Sequence, residues 1–169
     1  MTAQPSPMPG EEEAMTITGV FDAPREVVWR AWTEPEFLMR WWGPRFFTSP
    51  ACKIDLRVGG KYLNCMRSPD GQDYWSTGIY REIVAPGRLV MTDSFADERG
   101  NVVPATHYGM SPYIPLEMLV TVTLEEREGK TKLTLTHSGI EGFTATDRDN
   151  MWQGWNESFD KLAEVLAEG

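Results

Sequence analysis

The spacing of apolar residues changes once along this chain, and that change restricts the fold more than any other feature. From about residue 51 to residue 137, apolar side chains recur at every second position in short segments. In "EMLVTVTLEE" and the residue before it, Leu116, Met118, Val120, Val122 and Leu124 share one face, and in "TKLTLTH" Leu133, Leu135 and His137 do. Alternation of this kind marks strands with one buried face. From 145 to 167 the spacing becomes three and four, through Met151, Trp152, Trp155, Phe159, Leu162 and Leu166. That is the period of a helix with one apolar stripe. A sheet followed by one long helix has a single economical solution, in which the helix covers the buried face of the sheet.

Turn chemistry divides the alternating region. Gly59-Gly60, Pro69-Asp70-Gly71, "APGR" (85–88) and "REGK" (127–130) each separate two strand-like runs. These are tight-turn compositions, so neighbouring strands are expected to run antiparallel. The runs are 51–58, with Cys52, Ile54, Leu56 and Val58 on one side, then "KYLNCMR", a segment through Tyr74, Trp75, Ile79 and Ile83, "LVMTDSF", and the two above. Before them, "MTITGVF" (15–21) reads as a first strand. Asp22 is expected to cap a helix with Pro24 in its first turn, reaching about Ala31. Thr33 and Glu36 suggest a capping box for a second short helix. Phe37 with Trp41 and Leu38 with Trp42 then form neighbouring ridges on one helical face, which Gly43-Pro44 terminates.

The expected fold is therefore α+β: a curved antiparallel sheet of about six to seven strands around a long C-terminal helix, with two short helices after strand 1. The helix should leave a space against the sheet in which an apolar ligand can lie. The chain has 169 residues, 41% of them hydrophobic, which suits a single domain over 15–169. Residues 1–14, rich in Pro, Ser and Glu, read as a flexible tail.

Sixteen basic against twenty-five acidic residues give a net charge of −9, which repels phosphate backbones and anionic lipid. Nucleic acid and membrane are accordingly not expected partners. No apolar run reaches about 18 residues, and the N-terminus lacks the basic start and apolar centre of a secretory signal. A cytoplasmic location is expected. Cys52 and Cys65 lack metal-ligand spacing, and free buried thiols are expected there rather than a disulfide. The two histidines lie apart in sequence with no clustered thiolates, so neither a metal nor a cofactor is expected.

Candidate ligand-binding residues follow from parity and from loop length. His107, Tyr108 and Met110 fall in a stretch of about twenty residues between strands, long enough for a lid. His137 shares the inward face of Leu133 and Leu135, where it can orient a ligand's polar group or serve as a hydrogen-bonded core residue. Asn64, between Tyr62 and Met66, is a second candidate inward polar side chain, unless a bulge turns it to solvent. Trp75, Met118, Trp152 and Trp155 supply apolar walls, if they are not simply core. Trp41 and Trp42 are expected to pack and to close one end of the space.

The segments "FDAPREVVWRAWTEPEFLMRWWGP", "DLRVGGKY", "GIYREIVAPGRLVMTDSF" and "GWNESFDKLAEVL" resemble the activator of heat-shock-protein-90 ATPase homologue 1-like family. That family belongs to the START-like, or SRPBCC, superfamily with the helix-grip fold. The likeness runs from about Met15 to Leu166; Gly19 departs from it, where many relatives carry Arg. The resemblance implies a cavity that relatives use for lipid transfer, hormone or pigment binding, polyketide cyclisation or ring oxygenation. Three functions follow: binding of a small hydrophobic or aromatic molecule, a cyclase, dehydratase or hydrolase using the same cavity, and an interaction module with a chaperone or homodimer partner. An enzyme should bring at least two titratable groups together in the cavity, and the sequence points to one.

Overall fold

A computed structural model describes residues 14–168. The expected tail thus lies outside the described residues, apart from Ala14, which opens the first strand. The elements are β1 (Ala14–Phe21), α1 (Arg25–Thr33), α2 (Pro35–Leu38), β2 (Thr48–Ile54), β3 (Lys61–Arg67), β4 (Asp73–Val84), β5 (Arg88–Ala96), a 3-10 turn (Ala105–Tyr108), β6 (Met118–Arg127), β7 (Lys130–Ser138) and α3 (Ala145–Ala167). The seven strands form one antiparallel sheet in the order β1-β7-β6-β5-β4-β3-β2. β2 to β7 form a meander, and β1 adds to β7 at the far edge.

One face of the sheet carries α3. Register places Ile17 beside Leu135 and Leu135 beside Val122, so these side chains make a continuous apolar row across three strands. Phe159 and Leu162 from α3 close over that row. Each side chain fully buried there contributes roughly 1.5–3 kcal/mol. Cβ geometry at Gly19 explains the small residue on β1: an added carbon would lie 3.0 Å from the Phe21 ring and 3.6 Å from Phe159. On β4, a Cβ at Gly78 would lie 1.9 Å from the Thr92 carbonyl oxygen and 2.6 Å from the Tyr62 ring, so only glycine fits.

The local expectations differ from the structure at four places. Asp22 does not cap α1. Pro24 occupies the N-cap position, and the Arg25 amide donates instead to the Glu126 carboxylate at 2.8 Å, a partner supplied by β6. The Thr33 capping box is also absent, because the Thr33 hydroxyl donates back to the Trp29 carbonyl at 2.8 Å and Glu34 is the N-cap of α2. β2 ends at Ile54, short of the expected residue 58; Leu56 and Val58 are exposed, since residues 55–60 turn on themselves through Arg57 N–H to Asp55 and Gly60 N–H to Arg57. Finally, Trp152 points away from the sheet and is 45% exposed. Its three- and seven-residue spacing from Trp155 and Phe159 fits their stripe, so spacing alone does not distinguish it from them.

α2 is only one turn, yet the Trp41 and Trp42 amides both reach back to the Leu38 carbonyl, at 3.2 and 3.0 Å. Gly43 leaves the turn at φ 97°, a left-handed conformation that suits glycine. The loop that follows is held by α3. Lys161 Nζ donates to the carbonyls of Trp42, Gly43, Pro44 and Phe47 at 3.0–3.3 Å. The Ser158 hydroxyl adds a second bond to Gly43 at 2.9 Å, and the Arg45 amide donates to Glu157 at 2.9 Å. Converging carbonyls need a donor, and the ammonium supplies it. Replacing Lys161 with Met should therefore cost about 2–3 kcal/mol through orphaned acceptors. Urea denaturation measures the loss, and an unchanged midpoint would show that the clasp is dispensable.

The thiols also have a definite fate. Cys52 pairs with Asn64 and Cys65 with Ala51, so the two side chains project from opposite faces of the sheet and both are free. Burial pushes the Cys52 thiol up to about 12 and the Cys65 thiol, with Asp73 adding to it, up to about 11. In the unfolded chain a thiol loses its proton near about 8.5. The raised folded values stabilise the fold fully below that pH, and the benefit is lost as pH rises towards 11 and 12. Buried Tyr62 and Tyr80, both shifted upward by burial first, act in the same direction. The urea midpoint should accordingly fall between about pH 8 and pH 10.5, and native protein at about pH 8 should resist iodoacetamide while urea exposes both thiols. Rapid labelling of the native state would contradict the assignment.

Candidate functional site

α3 covers the sheet unevenly. Over its C-terminal half, Phe159, Leu162, Val165 and Leu166 are buried in the core. Over its N-terminal half, Asn150, Met151, Gly154 and Trp155 roof a cavity of about 580 Å³. Its floor is the sheet: Met66 on β3, Ser76 on β4, Asp93 and Phe95 on β5, Met118 on β6 and His137 on β7. One end is closed by Trp42, Gly43 and Pro44, and the other by Met110, Ser111, Ile114 and Phe143. A volume in this range suits a small organic molecule.

Trp155 forms the boundary between filled and open halves. Its ring stacks on Trp32 at 6.1 Å and meets Trp42 edge to face at 5.6 Å. Trp41 lies beneath, fully buried, with its indole N–H donating to the Ala31 carbonyl at 2.9 Å. Trp41 is thus packing, while Trp42, half buried, is both packing and cavity wall. The indole N–H of Trp155 donates to His137 Nδ1 at 3.1 Å. Because Nδ1 accepts, the proton of the neutral ring sits on Nε2.

His137 is 2% exposed, and its Nε2 lies 3.3 Å from Asp93 Oδ2. That is ion-pair distance, but Nε2 makes no hydrogen bond to Asp93 or to any other group among the described residues. The two residues stand on β7 and β5, on either side of β6, and their side chains meet across it. Asp93 also neighbours the Tyr62 hydroxyl, which donates to the Thr92 carbonyl at 2.8 Å. Burial, reinforced by the Asp93 charge, raises the Tyr62 phenol well above the ordinary range, so it remains a donor. The site thus presents a carboxylate, flanked by His137 and Tyr62, at the floor of a largely apolar chamber.

The rim is tied down rather than loose. Ser111 donates to the Asp147 carboxylate at 3.0 Å, and Asp147 with Thr144 forms the capping box of α3. Farther along the same loop, the Tyr108 hydroxyl accepts from the Trp75 amide at 3.2 Å and donates to the Ala96 carbonyl. The segment expected as a lid is therefore pinned to the sheet and to the helix.

Of the residues expected at the site, Met110, Met118, His137 and Trp155 come together around the cavity. The other five lie elsewhere. Asn64 is buried on the same face of the sheet but its carbonyl oxygen accepts from Cys52 Sγ at 3.0 Å. Trp75 pairs with Cys65 and Ala96 and projects to the opposite face, since its neighbour Ser76 is the one that lines the floor. His107 is exposed, edge-on to Tyr108 at 4.8 Å, and Tyr108 serves the loop anchor described above. Trp152 is on the outer face of α3.

Asp93 is the floor residue that the local sequence pattern reveals least. Its parity with Met91 and Phe95 was the available signal, masked by the unbroken apolar run Leu89-Val90-Met91 beside it. Gly154, a glycine in a helix interior, also marked the roof. His137 proves to have a structural duty as well, because removing it would orphan the Trp155 indole N–H.

Among the described residues no group of three or more His, Cys, Asp or Glu side chains is arranged to hold a metal ion. No helix among them is long and apolar enough to cross a membrane.

Comparison with solved structures returns the same fold. A protein from Arthrobacter aurescens, solved by NMR, superposes with a TM-score of 0.78 at 30% identity over 94% of this chain and 88% of its own. A crystal structure from Nitrosomonas europaea gives 0.76 at 24% identity, covering 93% and 96%. One from Chromobacterium violaceum gives 0.70 at 28%, covering 90% and 96%. Comparison with curated proteins returned no match. The sequence profile of the activator of Hsp90 ATPase homolog 1-like proteins matches residues 22–167. The chain belongs to that family, and through it to the START-like superfamily with its seven-stranded sheet and long terminal helix.

Proposed function

We propose that this protein binds a small hydrophobic or aromatic molecule in the cavity between the sheet and the N-terminal half of α3. The observation that carries this reading is the cavity itself, about 580 Å³ in volume, whose exposed wall is largely apolar and includes Trp42, Phe95, Met118, Phe143, Met151 and Trp155. Water gains little in such a chamber, and an apolar ligand entering it leaves bulk water behind. A few polar groups, Asp93 and His137 foremost, can fix the ligand's orientation. Family membership supports the same reading, since proteins of this superfamily generally bind ligands in this space.

A second reading draws on the same pair. Asp93 and His137 are two convergent titratable groups, the minimum equipment for moving a proton on a bound substrate. Cyclase, dehydratase or hydrolase chemistry would use the cavity as a reaction chamber. Turnover of a bound compound, lost in His137→Gln while binding persists, would favour this reading over simple carriage.

Gly154 offers a direct test of the cavity. A Cβ added there meets only Pro44, at 3.9 Å, so the position faces open space. Gly154→Ala should raise stability by about 0.5–1 kcal/mol, as expected for glycine in a helix interior. Gly154→Phe should fill the chamber and abolish binding of the neutral dye Nile red, with the cooperative melt retained. Undiminished dye fluorescence in a folded Gly154→Phe variant would place the ligand site elsewhere.

A further inference from the structure

We infer that the cavity selects ligands whose polar head is an organic ammonium ion, with the Asp93 carboxylate as its counter-charge. The inference rests on the cavity-binding reading and names the head group which that reading leaves open.

Charge balance is the starting point. The Asp93 side chain is 23% exposed and lines the floor, flanked by Phe95 on its own strand and paired with Met118 on the next. A carboxylate in such surroundings needs compensation, because an uncompensated charge away from water is costly. Among the described residues, no lysine or arginine in the cavity wall supplies that compensation. The Trp155 indole N–H occupies His137 Nδ1, so a second ring proton there would face another N–H across 3.1 Å. His137 meets Asp93 through Nε2 at 3.3 Å, 2% exposed and without a hydrogen-bond partner for that nitrogen among the described residues. Tyr62 is a neutral donor, engaged with Thr92. Lys161, on α3, is committed to the carbonyls of residues 42–44 and 47.

The walls agree with the floor. Trp42, Phe95, Phe143 and Trp155 surround the space, and the electron-rich faces of aromatic rings favour a cation over a neutral group. The second acidic residue at the rim, Asp147, is satisfied by Ser111 and Thr144, so it adds negative potential without competing as a partner. With a net charge of −9, the chain as a whole attracts cations and repels anions. A ligand with a carboxylate or phosphate head would bring like charge to Asp93; an ammonium head would complete an otherwise one-sided site.

Three probes that share one apolar body test the inference: 2-naphthylmethylamine, 2-naphthalenemethanol and 2-naphthoate, titrated calorimetrically into the full chain at neutral pH. The amine should bind at least about tenfold tighter than the alcohol, and the carboxylate should bind weakest. In Asp93→Asn the ratio of amine to alcohol affinity should collapse towards one, with a thermal melt run alongside to establish that the variant folds. If Asp93→Asn does not fold, the rank order in the unaltered protein decides the matter alone. Equal affinity for all three, or preference for the alcohol or the carboxylate, would overturn the ammonium inference while leaving the cavity reading intact. Failure of all three to bind at millimolar concentration would overturn both.

Discussion

Trp155 is the side chain on which the arrangement of this molecule turns. It is the point at which α3 ceases to fill the sheet and begins to roof it. Towards the C-terminus the helix buries Phe159, Leu162, Val165 and Leu166 against the apolar row of β1, β7 and β6. Towards the N-terminus, Met151 and Gly154 stand over open volume. The indole does three things at that boundary. One face stacks on Trp32, its edge region meets Trp42, and its N–H fixes the tautomer of His137. Large aromatic area anchors the helix, and a single directional bond sets the polar group below it.

The loop at residues 42–47 depends on the same helix through different physics. Its backbone carbonyls converge, which would be unfavourable without a donor, and Lys161 provides one to four of them at once. This clasp holds Trp42 where it can serve as a cavity wall. The surface ion pairs nearby, Arg45–Glu164 and Arg40–Glu168, involve exposed side chains and add little. The closed end of the cavity is therefore positioned by buried hydrogen bonding and aromatic packing, with exposed charge playing a minor part.

Ionisable groups on the cavity floor are few. Asp93 on β5 and His137 on β7 line the floor, and Tyr62 on β3 stands beside Asp93 without lining the cavity. Trp155 aligns the imidazole from the roof, the Tyr62 hydroxyl donates to the Thr92 carbonyl, and Asp93 is left facing the space. Such an arrangement gives orientation to a bound molecule without flooding the chamber with polarity. The family's fold sets the chamber; these few residues decide what it accepts.

The amino-acid sequence by itself determined the secondary structure and its packing faces over most of the chain. The two-residue period of β6 and β7, the Gly- and Pro-bearing turns, and the 3.6-residue stripe of α3 are local properties, and they dictate an antiparallel sheet with a covering helix. Where neighbours in space are remote in sequence, the reading failed. The N-terminus of α1 is satisfied by Glu126, a residue 101 positions away, so Asp22 is not needed as a cap. Trp152 and Trp155 both fit a broad helical stripe, and only the actual angle of α3 against the sheet turns one outward and the other in. The meeting of Asp93 with His137 was decided the same way. Parity assigns each to a face, but their 3.3 Å approach follows from the pairing of β5, β6 and β7. Periodicity is a property of one segment, whereas contact depends on register and helix placement, and those are set only when the whole sheet has formed.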